Sequence, residues 1–151
     1  MEIRPRELEE VLAFNIANRF PTMIVGQPGI GKTEIVRQAA GKTGAELIIM
    51  HPVAADPTDF KGFPFPVGDG TASFMPFGDL NGLIRAKKLT VCFLDDLGQA
   101  APSVQAAAMQ LVLERRVNGH KVSDNVVFIA ATNRKSDKAG VTGVLEPVKS
   151  R

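Results

Sequence analysis

Eight consecutive residues, 26–33, have the composition and spacing of a loop that could bind phosphate groups. They fit the pattern G-x-x-x-x-G-K-[ST], in which glycines let backbone N–H groups approach phosphate oxygens closely. The lysine of this pattern reaches the outer phosphates, and the hydroxyl that follows it binds Mg²⁺. We therefore predict a site for ATP and Mg²⁺. Its cofactor-binding residues are Gly26, Gln27, Pro28, Gly29, Ile30, Gly31, Lys32 and Thr33.

Two adjacent carboxylates, Asp95 and Asp96, follow the apolar run 91–94. A carboxylate at the tip of a strand can hold the shell of a magnesium ion, and we expect Asp95 to share the metal with Thr33. We expect Asp96 to orient or deprotonate the attacking water, which makes it a candidate catalytic residue. The alternative is that the pair only begins a turn as N-cap residues.

A polar pair, Thr132-Asn133, also follows a predicted strand, 125–131. Strand carboxyl ends line one edge of a parallel sheet, where ligands bind, so Asn133 could hydrogen-bond the γ-phosphate or the attacking water. Asparagine at a strand end is equally common in turns, and alone this residue favours neither interpretation. The two preceding motifs favour the catalytic role.

The elements that would position these motifs alternate between helical and strand periodicity. The segments 5–20, 33–40 and 79–88 are predicted helices, with a fourth beginning at Pro102; Gly41 and Gly44 close the second. The predicted strands are 22–25, 47–50, 90–94 and 125–131. This alternation predicts an α/β fold with a parallel sheet between two layers of helices. No repeat or linker is visible, and we expect one domain, 1–151.

The intervening segment, 51–79, has no regular period and is rich in proline and phenylalanine. A hairpin turn is predicted at Gly68-Asp69-Gly70. The phenylalanines of 60–77 could face a partner or a pore, although an ordinary loop covering a small core is favoured. His51 could couple nucleotide state to substrate binding, but a plain loop histidine is favoured.

Composition excludes several functional classes. The net charge of +2 comes without a basic run, so nucleic acid is not indicated as a partner. The single cysteine, Cys92, lies in an apolar run and is expected to be buried. The two histidines lack metal-ligand spacing, and no run is long and apolar enough for a membrane helix. We expect a cytoplasmic protein.

The order of these motifs resembles the AAA+ ATPase family, in which a phosphate-binding loop, an acidic strand end and an asparagine-tipped strand follow one another. The chain is most similar to the MoxR-type branch, and in particular to phage or prophage-type members. Nearly the whole chain takes part in this resemblance. The stretches that carry it are 56–62, 65–76, 94–100, 111–117, 131–134 and 147–151.

The resemblance implies ATP hydrolysis at subunit interfaces, in a ring that is commonly hexameric. It implies a sheet with strand order 5-1-4-3-2 and a hairpin insert at 65–76. It also implies that Arg151 is a catalytic arginine finger, which acts on the ATP of a neighbouring subunit. Arg115 and Arg116 could also reach a neighbour's γ-phosphate, although a solvated helix end is at least as plausible for both.

The sequence departs from the family pattern in two ways. The second acid is aspartate, Asp96, where the family usually has glutamate. The family also continues with a fifth strand and a helical lid, so we expect this chain to be a fragment that lacks both. Three classes of function remain open: an ATP-driven remodeller of a protein partner, which is favoured, a nucleic-acid motor or helicase loader, and a nucleotide-binding scaffold with little turnover.

Overall fold

The structure, a computed structural model, describes residues 4–27 and 30–133. Helices and strands alternate over most of this length, as their periodicity predicts. The helices are α1 (Pro5–Ala17), α2 (Lys32–Lys42), α3 (Thr58–Lys61), α4 (Asp79–Arg85) and α5 (Pro102–Glu114). The strands are β1 (Thr22–Gly26), β2 (Glu46–Met50), β3 (Phe63–Pro66), β4 (Ala72–Met75), β5 (Thr90–Leu94), β6 (Arg116–Val117), β7 (His120–Lys121) and β8 (Val126–Asn133).

Four of these strands form a parallel sheet with the order β1-β8-β5-β2. β1, β8, β5 and β2 are the first, fourth, third and second of the predicted strands. Their order therefore confirms the 1-4-3-2 part of the strand order that the family resemblance implies. Every residue of β5 and β8 is buried, because both strands are central and are covered on both faces. The three-layer α/β prediction is therefore confirmed.

A separate hydrophobic core lies on each face of the sheet. On one face, α1 and α2 bury Leu12, Ile16 and Val36 against β5 and β8. On the other face, α3, α4 and α5 bury a larger set of side chains, including Phe60 and Leu111. Cys92 belongs to this second core and is fully buried, as expected, and burial raises the pKa of its thiol.

Some predicted boundaries differ from the structure for local reasons. The first helix ends at Ala17 rather than Phe20, because Arg19 adopts a left-handed conformation with φ 59°. The second helix continues through Gly41 to Lys42, and the left-handed glycine that follows it is Gly44, with φ 71°. A left-handed residue after the last turn is a common way for a helix to end.

Two antiparallel hairpins project from the sheet domain. The first joins β3 to β4 through the predicted Gly68-Asp69-Gly70 turn, which confirms that turn. The second, β6–β7, was not predicted: α5 ends at Glu114, and β6 begins at Arg116. The signal for this hairpin was present in the sequence as Asn118-Gly119, a dipeptide typical of two-residue hairpin turns.

Arg115 is half-buried and bonded within the domain, so the prediction of a solvated helix end is wrong for this residue. Its backbone is left-handed, with φ 52°, and its guanidinium donates to the carbonyl oxygens of Ser123 and Val126 at 2.8 and 3.0 Å. The same guanidinium lies 5.5 Å from the centre of the Phe128 ring. Arg115 therefore fastens the β6–β7 hairpin to the start of β8, whereas Arg116 is exposed.

Candidate functional site

The register of the sheet brings the candidate motifs to one edge. Gly26, the last residue of β1, pairs with Asn133, the last residue of β8. Leu94 ends β5, so Asp95 and Asp96 follow directly at the same edge. The chemistry-bearing residues therefore lie together because the carboxyl ends of parallel strands meet there.

Lys32 contacts several of the residues at this edge. It is only 7% exposed, although lysine is rarely buried without polar partners. Its Nζ donates to the carbonyl oxygens of Gly26 and Gln27 at 3.3 and 2.9 Å, and to Oδ1 of Asn133 at 3.1 Å. Lys32 and Asn133 are 101 positions apart in the sequence, and the buried ammonium group of Lys32 joins the loop after β1 to the end of β8.

The loop after β1 enters α2 with the backbone geometry that its glycines predict. Gly31 has φ 80°, a conformation that favours glycine, and it precedes the first turn of the helix. The hydroxyl of Thr33, in that first turn, donates to Oδ2 of Asp95 at 3.2 Å. A hydroxyl oxygen and a carboxylate oxygen thus lie side by side next to the amino end of the helix.

Asp96 differs from Asp95 in both backbone and electrostatics. Its backbone is left-handed, with φ 53° and ψ 42°. Burial raises the pKa of the Asp96 carboxyl, and the neighbouring charge of Asp95 raises it further, while Lys32 and His51 act in the opposite direction. Both causes therefore disfavour the charged form of the Asp96 carboxyl.

His51 lies beside the carboxylate of Asp95. It follows β2 directly, and its Nδ1 lies 4.0 Å from Oδ2 of Asp95. Its side chain is 65% exposed, and it also lines a cleft of about 260 Å³ beside α3 and α4. The only sequence signal for this contact is the position of His51 at the end of a predicted strand.

The structure does not place every predicted residue of the site. Gln27 and Ile30 are exposed on either side of the loop, while Pro28, Gly29 and Arg151 lie outside the described residues. Among the described residues, no cluster of three or more His, Cys, Asp or Glu side chains could hold a metal ion. A magnesium ion here would be bound by one or two protein oxygens together with phosphate oxygens, as is usual for this metal in phosphate sites.

Comparison with known families identifies the fold around this site. A family model described as "ATPase family associated with various cellular activities (AAA)" matches residues 22–140, which include the loop, both carboxylates and Asn133. The chain belongs to this AAA family of ATPases. The expectation from the motif order is confirmed at the level of the family.

Two curated proteins are similar to this chain in sequence. Protein MoxR of Methylorubrum extorquens is 31% identical over 109 residues, which cover 72% of this chain and 31% of MoxR. The yeast (Saccharomyces cerevisiae) protein YME1, a subunit of the mitochondrial inner membrane i-AAA protease supercomplex, is 27% identical; the match covers 84% of this chain and 18% of YME1. The chain thus spans less than a third of either AAA relative.

Solved structures share the AAA fold at low sequence identity. A candidate ATPase from Cytophaga hutchinsonii matches with a TM-score of 0.64 and 16% identity, covering 98% of this chain and 44% of that one. The RuvB Holliday junction branch migration motor of Thermotoga maritima matches with a TM-score of 0.61 and 14% identity, covering 97% and 41%. At such identities the likeness shows the fold alone.

No helix in the described part of the chain is long and apolar enough to span a membrane.

Proposed function

We propose that this AAA domain binds ATP with magnesium at the carboxyl edge of the sheet and hydrolyses it. The observation that carries the proposal is the hydrogen bond between Lys32 and Asn133, at 3.1 Å, beside the Thr33–Asp95 contact at 3.2 Å. Together these two contacts bring three separate sequence motifs to one place. A structural role alone would not need a buried lysine surrounded by three oxygen acceptors at a glycine-rich loop.

Two side chains of the site fit the magnesium ion. Thr33 and Asp95 already present oxygens within 3.2 Å of each other, and Mg²⁺ prefers oxygen ligands. Magnesium bound with ATP would help to neutralise the charge on the phosphates. Lys32 would exchange its carbonyl and amide acceptors for phosphate oxygens, since a charge-assisted bond to an anion is stronger than one to a neutral oxygen.

Asp96 and Asn133 would act on the water that attacks the terminal phosphate. The pKa of Asp96 is raised by burial and by Asp95, which favours uptake of a proton from that water. The amide of Asn133 would hold the water or a phosphate oxygen from the end of β8. Neither role needs a rearrangement of the sheet, because both residues already sit at its carboxyl edge.

The partner of the complete protein is proposed to be another protein, in the manner of the MoxR-type branch. The similarity to MoxR, at 31% identity, supports this branch, and the small net charge of +2 without a basic run gives no support for a nucleic-acid motor. Assembly into a ring, with six subunits as the expectation from the family, and a cytoplasmic location remain part of the same proposal.

Replacement of Lys32 tests the nucleotide site. Lys32→Met keeps most of the aliphatic stem but removes the charge, so we expect Mg-ATP binding to fall by at least about tenfold, the equivalent of one lost charge-assisted bond. Calorimetric titration of the complete protein would measure this change. Lys42→Met, at the exposed end of the same helix, is the control and should bind as the wild type does. Equal affinities for the two variants would contradict the assignment.

A further inference from the structure

The turn of the β6–β7 hairpin consists of two exposed residues, Asn118 and Gly119, between the paired residues Val117 and His120. Asn118 is left-handed, with φ 55°, whereas the φ of Gly119 lies outside the left-handed region. A type I′ turn, which the dipeptide Asn-Gly favours, needs a positive φ at both residues. This turn therefore places the positive φ on the residue that has a side chain and leaves the conformational freedom of the glycine unused.

The side-chain amide of Asn118 and the backbone amide of Gly119 are adjacent and are not held by other groups. Within residues 4–27 and 30–133, neither amide makes a hydrogen bond. A Cβ atom built on Gly119 would have no heavy atom within 4 Å, so the space around this part of the backbone is open. The Gly119 nitrogen thus has no acceptor that fixes it and no side chain that shields it.

The other asparagines of the described chain are held more firmly. Asn81 is also followed by glycine, but it lies inside α4, where the backbone is helical. The remaining four form side-chain hydrogen bonds and are followed by residues larger than glycine: Asn15, Asn18, Asn125 and Asn133. The chain therefore contains the same dipeptide twice, once in a helix at Asn81 and once in an exposed turn at Asn118.

We propose that Asn118 is a site of spontaneous deamidation. The Gly119 nitrogen attacks Cγ of Asn118 and forms a C–N bond, while the bond between Cγ and Nδ2 breaks. The proton that the nitrogen loses is balanced by the proton that converts the leaving amide group to ammonia. Water then opens the resulting cyclic imide at either carbonyl and gives aspartate or isoaspartate. No nucleotide takes part, so the inference goes beyond the proposed function.

The hairpin offers little resistance to this ring closure. β6 and β7 have two residues each, and a two-stranded ribbon of this length is not stable by itself. Asn81 must leave the helical conformation before it can react, and a local opening that costs about 1.4 kcal/mol already slows a reaction tenfold. Deamidation should therefore be faster at Asn118 than at Asn81 by at least this factor.

Isoaspartate does not fit the turn, because both ends of the hairpin are fixed. Val117 and Val122 are 1% and 0% exposed, and the amide of Val122 donates to the carbonyl oxygen of Arg115 at 2.9 Å. In isoaspartate the main chain passes through the former side chain, which lengthens the turn by one methylene group. The added atom must be accommodated between Val117 and His120, which disrupts their pairing.

Peptide mass spectrometry of the complete protein, incubated at mildly alkaline pH, tests the site. In wild type, Asn118 should deamidate at least about tenfold faster than Asn81. Gly119→Ala keeps the asparagine but adds a methyl group beside the attacking nitrogen, and the open space and the φ of Gly119 allow this variant to fold. Its Asn118 should react at least about tenfold more slowly. Gly41→Ala, at another open position, is the control and should leave the rate at Asn118 unchanged.

The consequence for the hairpin has a separate measurement. Labelling by an isoaspartyl methyltransferase should increase as wild type ages, and the melting temperature of the aged protein should fall as the label rises. Freshly prepared Asn118→Asp has the added charge without the added methylene group. Its melting temperature should be close to that of fresh wild type, which separates the effect of backbone length from the effect of charge.

Several outcomes would overturn the proposal. Equal rates at Asn118 and Asn81 would show that the exposed turn does not favour the reaction. A wild-type rate in Gly119→Ala would show that the Gly119 nitrogen is not the attacking group. Modification that appears only after unfolding in urea would show that the hairpin protects the dipeptide. Accumulation of isoaspartate with an unchanged melting temperature would contradict the disruption of the pair between Val117 and His120.

Discussion

At the scale of single residues, the backbone of Asp96 explains the choice of acid. Its φ of 53° lies in the left-handed region, which costs most residues about 1–2 kcal/mol but which aspartate and asparagine tolerate better. The aspartate found where the family usually has glutamate therefore suits the turn that follows β5. Asparagine at this position should preserve that turn.

Asp96→Asn is accordingly a clean test of the proposed general base. We expect the variant to bind Mg-ATP as the wild type does, because Lys32, Thr33 and Asp95 are untouched. Hydrolysis by the complete protein should fall about 10²–10⁴-fold, since the amide cannot accept a proton from water. Release of phosphate measures the rate, and Asp124→Asn, an exposed carboxylate near Lys121, is the control. A rate within a few-fold of wild type would exclude Asp96 as the base.

The raised pKa of Asp96 also predicts how stability depends on pH. A carboxyl with a raised pKa in the folded state favours folding at a pH below its unfolded value of about 4, and this contribution is lost as the pH rises through the raised value. The Asp96→Asn side chain cannot ionise. Without nucleotide, the melting temperature of this variant minus that of wild type should therefore be larger at pH 7 than at pH 4. Thermal unfolding of both proteins measures this difference; a pH-independent difference would contradict the burial of the carboxylate.

At the scale of elements, Arg115 stabilises the β6–β7 hairpin, which the periodicity of the sequence did not predict. Its guanidinium donates to the carbonyl oxygens of Ser123, which precedes β8, and Val126, the first residue of β8. Its backbone carbonyl accepts from the amide of Val122 at 2.9 Å. These bonds connect the end of α5 with the strand that carries Asn133. Arg115 is thus bonded near the amino end of β8, the opposite end of the strand from Asn133.

Arg115→Lys should destabilise the protein by about 1–3 kcal/mol, because the shorter lysine does not bring a nitrogen to the position of the Nη2 atom that donates both bonds, and it loses the planar group that lies over the Phe128 ring. Urea unfolding followed by circular dichroism measures the free energy of unfolding. Arg116→Lys changes an exposed neighbour and should remain within about 0.5 kcal/mol of wild type. Similar losses for both variants would show that the bonds of Arg115 are not important for stability.

The main elements were predictable because their periods are long and their ends are marked. The apolar runs that form β5 and β8 are continuous and end in polar residues, and the glycine loop before α2 has only one common structural context. Two-residue strands such as β6 and β7 have no period to detect. The contacts of Arg115 and His51 join residues through tertiary packing, which no local pattern specifies.

At the scale of the whole molecule, the proposed ring places a second residue at each ATP site. Arg151 lies outside the described residues, so its role as a finger stays a prediction from the family resemblance. A guanidinium against the γ-phosphate stabilises charge in the transition state and is worth about 10³–10⁵ in rate in related phosphoryl transfer.

Mixing complete subunits tests this arrangement. Arg151→Ala and Asp96→Asn proteins should each be nearly inactive alone. In a mixture, some interfaces would combine an intact Arg151 with an intact Asp96, so partial ATPase activity should return. Light scattering must show that the two proteins assemble together. Co-assembly without recovery would count against a finger that acts across the interface, and full activity of Arg151→Ala alone would exclude it.

The strand order has a consequence for synthesis of the chain on the ribosome. Thr22 of β1 pairs with Ile129 of β8, and β8 lies between β1 and β5, although it is the last of the described strands in sequence. About a hundred residues must be translated before β1 gains its partner, which takes about 5–20 s at usual rates. During this time the nascent strand Thr22–Gly26 has no neighbour among the described strands, and Lys32 lacks its contact with Asn133. The proposed ATP site is therefore completed only when β8 has been made and has joined the sheet.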